Sequence, residues 1–225
     1  MWRRFSVRFD FLTRVCGGVP ADPDMVEAWL KARAPKVRPP QSKSIDQIAE
    51  EVFATLPTEP DEEEQQTLNC FQRVDGVLQF GYRTIRGHIK ELAGTLSALY
   101  VGKIEKEKSF AVKVKNGVYY PPESIWIPLR RTATGAPVTD PDGTYQKAVH
   151  IMTHQGPRSA LKTIEYVEGA SMEFTLLVLN NTQGKLVVSE MDLKTLFEYG
   201  GVHGFGPERG DGQGKYVATI TAEAS

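Results

Sequence analysis

Gly204-Phe205-Gly206-Pro207-Glu208-Arg209-Gly210-Asp211-Gly212-Gln213-Gly214-Lys215 runs directly into Tyr216-Val217-Ala218-Thr219-Ile220. Glycine has no Cβ, so such a loop can take positive φ values and let a ligand approach its backbone closely. Successive N–H groups turned inward form a concavity suited to phosphate, and Arg209 and Lys215 add positive charge at the same place. The plainer reading is a tight connection between a helix and a strand. The order of elements bears on the ligand: a nucleotide-cofactor loop follows a strand and opens a helix, whereas this loop follows a helix and opens a strand.

The residues before the loop supply that helix. Leu193, Leu196 and Phe197 mark it, and Gly200-Gly201 is expected as its C-cap. A strand from Met172 to Leu179 precedes it and leaves through Asn180-Asn181-Thr182-Gln183-Gly184. At the other end of the chain, residues 3–15 read as a strand, because Phe5, Val7, Phe9 and Phe11 alternate with Ser6, Arg8 and Asp10. Ile85, Ile89, Leu92, Leu96 and Leu99 fall at helical spacing over residues 84–100, with Arg86, Lys90 and Glu91 on another face. Ala111 to Lys115 and Ile125 to Leu129 are expected as strands, and proline and glycine turns follow at Pro121-Pro122, Gly135-Ala136-Pro137 and Asp140-Pro141-Asp142-Gly143. Two helices that each cross between strands of a mostly antiparallel sheet define an α+β, ferredoxin-like (RRM-like) fold.

Two stretches interrupt that core. Asp22-Pro23-Asp24 opens a short helix through Met25, Val26, Trp29 and Leu30, and Ser44-Ile45-Asp46-Gln47 is a capping-box pattern opening a second one through Val52 and Leu56. An acidic run, Glu59-Pro60-Asp61-Glu62-Glu63-Glu64, reads as a solvated loop. The expectation is a single domain, 1–225, with a core of about 1–20, 71–115 and 160–225, a helical insertion of about 21–70 after strand one and a β-rich insertion of about 116–160 in the middle.

Composition narrows the function. With 27 basic and 28 acidic residues the formal net charge is -1, so any nucleic-acid-binding surface must be local. Cys16 and Cys70 are the only cysteines, too few for a disulfide framework or a metal cluster. No apolar run is long enough to span a bilayer, and Arg8 and Asp10 rule out a signal peptide at the N-terminus, so a cytoplasmic protein is expected.

Three separated segments resemble one family. Glycines 204, 206, 212 and 214 have the G-x-G, five residues, G-x-G spacing of the RAMP superfamily of CRISPR-associated RNA-binding proteins. Gly81-Tyr82-Arg83-Thr84-Ile85-Arg86-Gly87-His88-Ile89-Lys90 is similar to the P-G-S-S-L-K-G-x-L-R segment of CRISPR-effector backbone subunits. There Thr84 stands for the serine, Arg86 for the lysine, Gly87 for the glycine and Lys90 for the arginine. Val167-Glu168-Gly169-Ala170-Ser171-Met172-Glu173-Phe174 resembles the entry into a core strand of those subunits. The usual proline is missing at Phe80-Gly81-Tyr82, Pro207-Glu208 makes the glycine loop less basic, and residues 20–60 have no parallel in the family. Such departures fit a diverged relative carried by a phage or another mobile element.

The resemblance implies a single-stranded RNA-binding subunit that packs along nucleic acid in a multimeric, effector-like ribonucleoprotein, with copies of itself or other effector-like subunits as partners and DNA not excluded. The residues that would contact RNA are Tyr82, Arg83, Arg86 and Lys90 at the helix start, Arg130 and Arg131 near Trp126, and Gly204, Gly206, Arg209, Gly212, Gly214 and Lys215 in the loop. One alternative is a metal-independent RNA-processing endonuclease, with His88, His150, His154 and His203 as acid–base candidates. Related subunits that cut target RNA use an aspartate after strand one; Asp22 and Asp24 fall there but read better as helix caps. Another alternative is an interaction protein or inhibitor that mimics an effector subunit. No catalytic residue is assigned, and neither a cofactor nor a metal is called for: His150-x-x-x-His154 lacks the glutamate of a zincin.

Overall fold

Strand β1 (Trp2–Phe11) buries every second side chain, with Phe5, Val7 and Phe9 fully inaccessible, and it is the strand on which the first of two compact units is built. The computed structural model describes residues 1–20, 68–99, 110–121, 125–153, 156–181 and 183–223; the expected helices at 22–30 and 44–56 and the acidic run lie outside them. Further elements are β2 (Val15–Cys16), β3 (Val19–Pro20), β4 (Leu68–Cys70), β5 (Gln72–Val74), β6 (Val77–Gly81), α1 (Tyr82–Leu99), α2 (Phe110–Gly117), β7 (Val118–Tyr119) and β8 (Trp126–Arg131). They are followed by β9 (Gly143–Thr153), β10 (Gly156–Val167), β11 (Ala170–Leu179), α3 (Glu190–His203) and β12 (Tyr216–Ala222). The first unit comprises residues 1–15, 79–138 and 168–225, and the second 16–78 and 139–167.

In the first unit the strand order is β12-β1-β11-β8, and each neighbouring pair is antiparallel. Helix α1 lies in sequence between β1 and β8, and α3 between β11 and β12. Each helix therefore joins two strands that have a third between them, which is the split βαβ arrangement of a ferredoxin-like α+β fold. Beyond β8, Phe80 and Gly81 of β6 pair with Ile127 and Trp126.

Both helices press on one side of this sheet. Ile85, Ile89, Leu92 and Leu96 of α1 and Leu193, Leu196 and Phe197 of α3 are buried, and Phe9 is the hub. Its ring stacks on Tyr216 at 3.9 Å and meets Phe174 and Phe197 edge-on at 5.2 and 5.3 Å. Burying each such aromatic contributes about 1.5–3 kcal/mol, with further gain from edge-to-face geometry. The opposite face is polar: Ser6 donates to Glu173 at 2.7 Å, and Arg8 pairs with Asp10 at 2.9 Å.

Two local expectations are corrected. Ala111 to Lys115 is helical, within α2. Its five-residue alternation is overridden by packing, since Phe110, Val114 and Gly117 form the buried face of a short helix and Ser97 of α1 accepts the Ala111 N–H at 3.1 Å. Gly200-Gly201 does not cap α3, which continues to His203 and ends at Gly204, φ 89°. Both glycines are buried in the helix because a Cβ on Gly200 would strike the Tyr216 hydroxyl and Leu92, and one on Gly201 the Tyr216 carbonyl oxygen. The helix start is locally encoded: Ser189 and Asp192 form a reciprocal capping box.

The second unit is arranged around β10, which pairs antiparallel with β9 and parallel with β4; β3 lies beyond β4. Glu165 is buried there, and its carboxylate accepts the Phe71 N–H at 2.9 Å and the Arg73 guanidinium at 3.1 Å. Cys16 and Cys70 are buried thiols that form no disulfide with each other, and burial, reinforced by Glu165, pushes the Cys70 thiol up to about 12.

Candidate nucleic-acid interface

Helix α1 separates its chemistry by face. At roughly 100° per residue, Ile85, His88, Ile89 and Leu92 turn inward, leaving Arg83, Gly87, Lys90 and Gly94 as an outer stripe. Arg83, Arg86 and Lys90 are exposed and form no ion pair among the described residues. Gly87 sits among them, and a Cβ there would meet no described residue within 4 Å. An open, helix-interior glycine is disfavoured by about 0.5–1 kcal/mol relative to alanine, so the free protein's packing gives no reason for it.

On one flank of the stripe α2 approaches. Arg86, Ile89 and Lys90 with Val114, Lys115, Val118 and Tyr120 line a shallow depression. Tyr82, half-buried at the helix start, sets its ring 6.0 Å from that of Tyr120. The Tyr120 hydroxyl is shut off from solvent and has no hydrogen-bond partner among the described residues; burial drives its acidity down, and the nearby Arg86 charge opposes that only partly. Sequence reasoning missed Lys115 and Tyr120. Their signal was the interleaving of Lys113, Lys115, Tyr119 and Tyr120, which was hidden once the segment was read as strand.

On the other flank lies the glycine loop, where several N–H groups expected to face a ligand are bonded within the protein. The N–H groups of Gly204, Phe205, Gly212 and Gly214 donate to Gly200, Gly214, Arg209 and Arg14 carbonyls at 2.7–3.0 Å. Lys215 N–H donates to the Thr13 hydroxyl at 2.9 Å, so these groups hold the loop closed rather than face a ligand. Gly204, Gly206, Gly212 and Gly214 all have φ between 70° and 92°. At Gly214 a Cβ would overlap the Phe205 carbonyl, so this glycine is required by packing.

Arg209 is a tether: it donates to the Gly206 carbonyl at 2.8 Å and to Glu91 of α1 at 2.8 Å. The Lys215 side chain is not paired among the described residues. Arg130 donates to the Gly135 carbonyl at 3.0 Å and Arg131 to the Glu168 carbonyl at 3.1 Å, so both brace turns of the sheet. Arg130 is exposed next to buried Leu129 on β8, so it stands on the sheet face opposite α1. The structure thus gathers Tyr82, Arg83, Arg86 and Lys90, sets the loop residues on the far flank of α1, and keeps Arg130 apart.

His88 and His203 pack around α1 and α3. His88 is buried, with Nε2 2.9 Å from the Tyr216 hydroxyl. Burial first, then the neighbouring His203 and Arg209 charges, hold its imidazole down to about 3, so it is neutral at physiological pH. His203 stacks on Tyr199, and its Nε2 is 3.4 Å from Glu91 Oε1 without hydrogen-bond geometry. His150 lies in β9, and His154, Asp22 and Asp24 lie outside the described residues.

The chain is thus a ferredoxin-like α+β protein whose first crossover helix carries a basic stripe with no ion-pair partner among the described residues. No protein-family model matches it, and no curated protein does. Among solved structures it is similar to a chain in the cryo-EM structure of the Type III-B Cmr-beta bound to cognate target RNA. The TM-score is 0.44 at 9% identity, over 98% of this chain and 60% of that one. A likeness of that size carries no argument about chemistry, and the fold assignment rests on strand order and pairing. No helix among the described residues is long and apolar enough to cross a membrane.

Proposed function

We propose that this chain is a RAMP-type, single-stranded RNA-binding subunit that packs along nucleic acid in a multimeric, CRISPR-effector-like cytoplasmic ribonucleoprotein. The observation that carries the proposal is the exposed side of α1, where Arg83, Arg86 and Lys90, unpaired among the described residues, surround a glycine that the described packing does not need. Cations there neutralise phosphates, a missing Cβ admits a sugar–phosphate backbone to the helix surface, and Tyr82 at its start is positioned to support a base. Two features support the RAMP assignment: the 4-1-3-2 strand order of the first unit, and the match of residues 81–90 to the family's helix start. In this reading residues 1–225 form one RAMP-like domain with a helical insertion of about 21–70 and a β-rich insertion of about 116–160 that supplies β9. The glycine loop acts as a brace for α1, with Lys215 as its free cation, and Arg130 and Arg131 as outlying contacts.

Purified protein is expected to bind single-stranded RNA with strong salt dependence. Arg86→Glu together with Lys90→Glu should weaken binding by about 100-fold, while surface substitutions of this kind leave stability within about 0.5 kcal/mol. Fluorescence anisotropy at several salt concentrations measures it, and wild-type affinity in the double variant would end the proposal. Absorbance at 260 and 280 nm across a size-exclusion peak reports bound nucleic acid and assembly in one trace. An assembly with effector subunits that forms without RNA would favour the mimic instead.

A further inference from the structure

The depression between α1 and α2 combines features that the stripe alone lacks. Arg86 and Lys90 from one helix and Lys115 from another converge on it, and none has an anionic partner among the described residues. Arg86 and Lys90 are one turn apart, a like-charge spacing that is unfavourable in an isolated helix. The wall and floor are apolar (Ile89, Val114, Val118), which strengthens any charge interaction made there. Tyr120 contributes a hydroxyl that keeps its proton at neutral pH and has no acceptor among the described residues.

We infer that this depression is a phosphate subsite of the nucleic-acid path, in which Arg86, Lys90 and Lys115 hold one backbone phosphate and the Tyr120 hydroxyl donates to it. The inference rests on the RNA-binding reading above and adds to it two residues, Lys115 and Tyr120, and a direction: the strand passes from the outer stripe of α1 toward α2, away from the glycine loop. Several converging donors match the oxygens of a phosphate better than the two of a carboxylate. The depression is small, which suits a phosphate and not a nucleoside, and the Tyr120 hydroxyl, covered in the free protein, must swing toward it to donate. The buried, unpartnered hydroxyl marks a place where the free protein gives up stability that a ligand restores.

The test uses the full chain and a fluorescein-labelled oligouridylate, with affinity measured across a salt series and thermal unfolding followed in parallel. Lys115→Gln is expected to weaken binding about 3- to 10-fold and to flatten the plot of log affinity against log salt by part of the ~0.7 that one phosphate contributes on a single strand, because Arg86 and Lys90 remain on it. Lys185→Gln, at an exposed turn residue remote in sequence from the site, should leave both unchanged. Tyr120→Phe should weaken RNA binding about 3-fold or more while raising the melting temperature, because it deletes a hydroxyl with no partner. If RNA binds but Lys115→Gln and Tyr120→Phe keep wild-type affinity and slope, the subsite is overturned and the RNA reading stands. If wild-type protein fails to bind the oligomer at low salt, both fall. A lower melting temperature in Tyr120→Phe would overturn the hydroxyl's part alone.

Discussion

Gly214 in the terminal loop and Gly87 in α1 are the same residue put to opposite uses. At Gly214 the φ is 70° and a side chain would overlap the Phe205 carbonyl, so the protein needs a glycine merely to fold. At Gly87 the backbone is helical, the space around the Cα is open, and alanine would suit the free protein better. A glycine that packing requires is weak evidence for a ligand. One that packing does not require, among unpaired cations, is stronger evidence. The comparison moves the proposed RNA contact from the loop, where the sequence concentrates glycine, to the helix beside it.

Breaking the first side of that comparison should have the largest effect. Gly214→Ala combines a left-handed backbone with overlap against a main-chain atom, and is expected to cost about 3 kcal/mol or more, read as a collapse of the denaturation midpoint. Gly201→Ala should behave similarly, because its Cβ would meet the Tyr216 carbonyl.

The next effect concerns what buttresses the loop. His88 lies between Phe205 and Tyr216 and is held neutral, at about 3 against an ordinary 6.5. Because the folded value is depressed, the unfolded chain binds the proton more readily. The stabilisation is therefore complete above pH 6.5 and is lost as the pH falls toward 3. Between pH 7 and pH 4.5 this one group should remove about 2–3 kcal/mol. His88→Leu, though less stable at neutral pH for want of a partner to Tyr216, should have a flatter acid limb in urea titrations across that window. Parallel acid limbs in the two proteins would show that His88 is not the group responsible.

The smallest effect sharpens the other side. Gly87→Ala should raise stability by about 0.5–1 kcal/mol in the free protein and yet weaken RNA binding several-fold, two readouts of opposite sign. Stabilisation with unchanged binding would return Gly87 to the ordinary surface and take the close-approach argument with it.

Much of this was legible in the residues. The alternation of Phe5, Val7, Phe9 and Phe11 corresponds to the buried face of β1, and the spacing of Ile85, Ile89, Leu92 and Leu96 to that of α1. The expected basic helix start is exposed and unpaired as well. What was not legible depends on partners distant in the chain. Ala111 to Lys115 alternates like a strand, but α1 offers Phe110 and Val114 a helical seat. Gly200 and Gly201 look like a helix stop until β12 is laid against them. Tyr120 gains meaning only when α1 and α2 set cations around it.

The sequence by itself determined the elements of the core and their order, because a strand or helix with one buried face writes its period into neighbouring residues. From that order the ferredoxin-like class followed. Only the tertiary structure decided which polar groups remain free. The Gly214 and Lys215 N–H groups are taken by Arg14 and Thr13 about 200 positions away, those of Phe205 and Gly212 by the loop's own carbonyls, and Arg209 by Glu91, whereas Arg83, Arg86 and Lys90 have no ion-pair partner among the described residues. Hydrogen bonds and ion pairs are satisfied in space, and the spacing of residues along the chain does not record which of them will be left over.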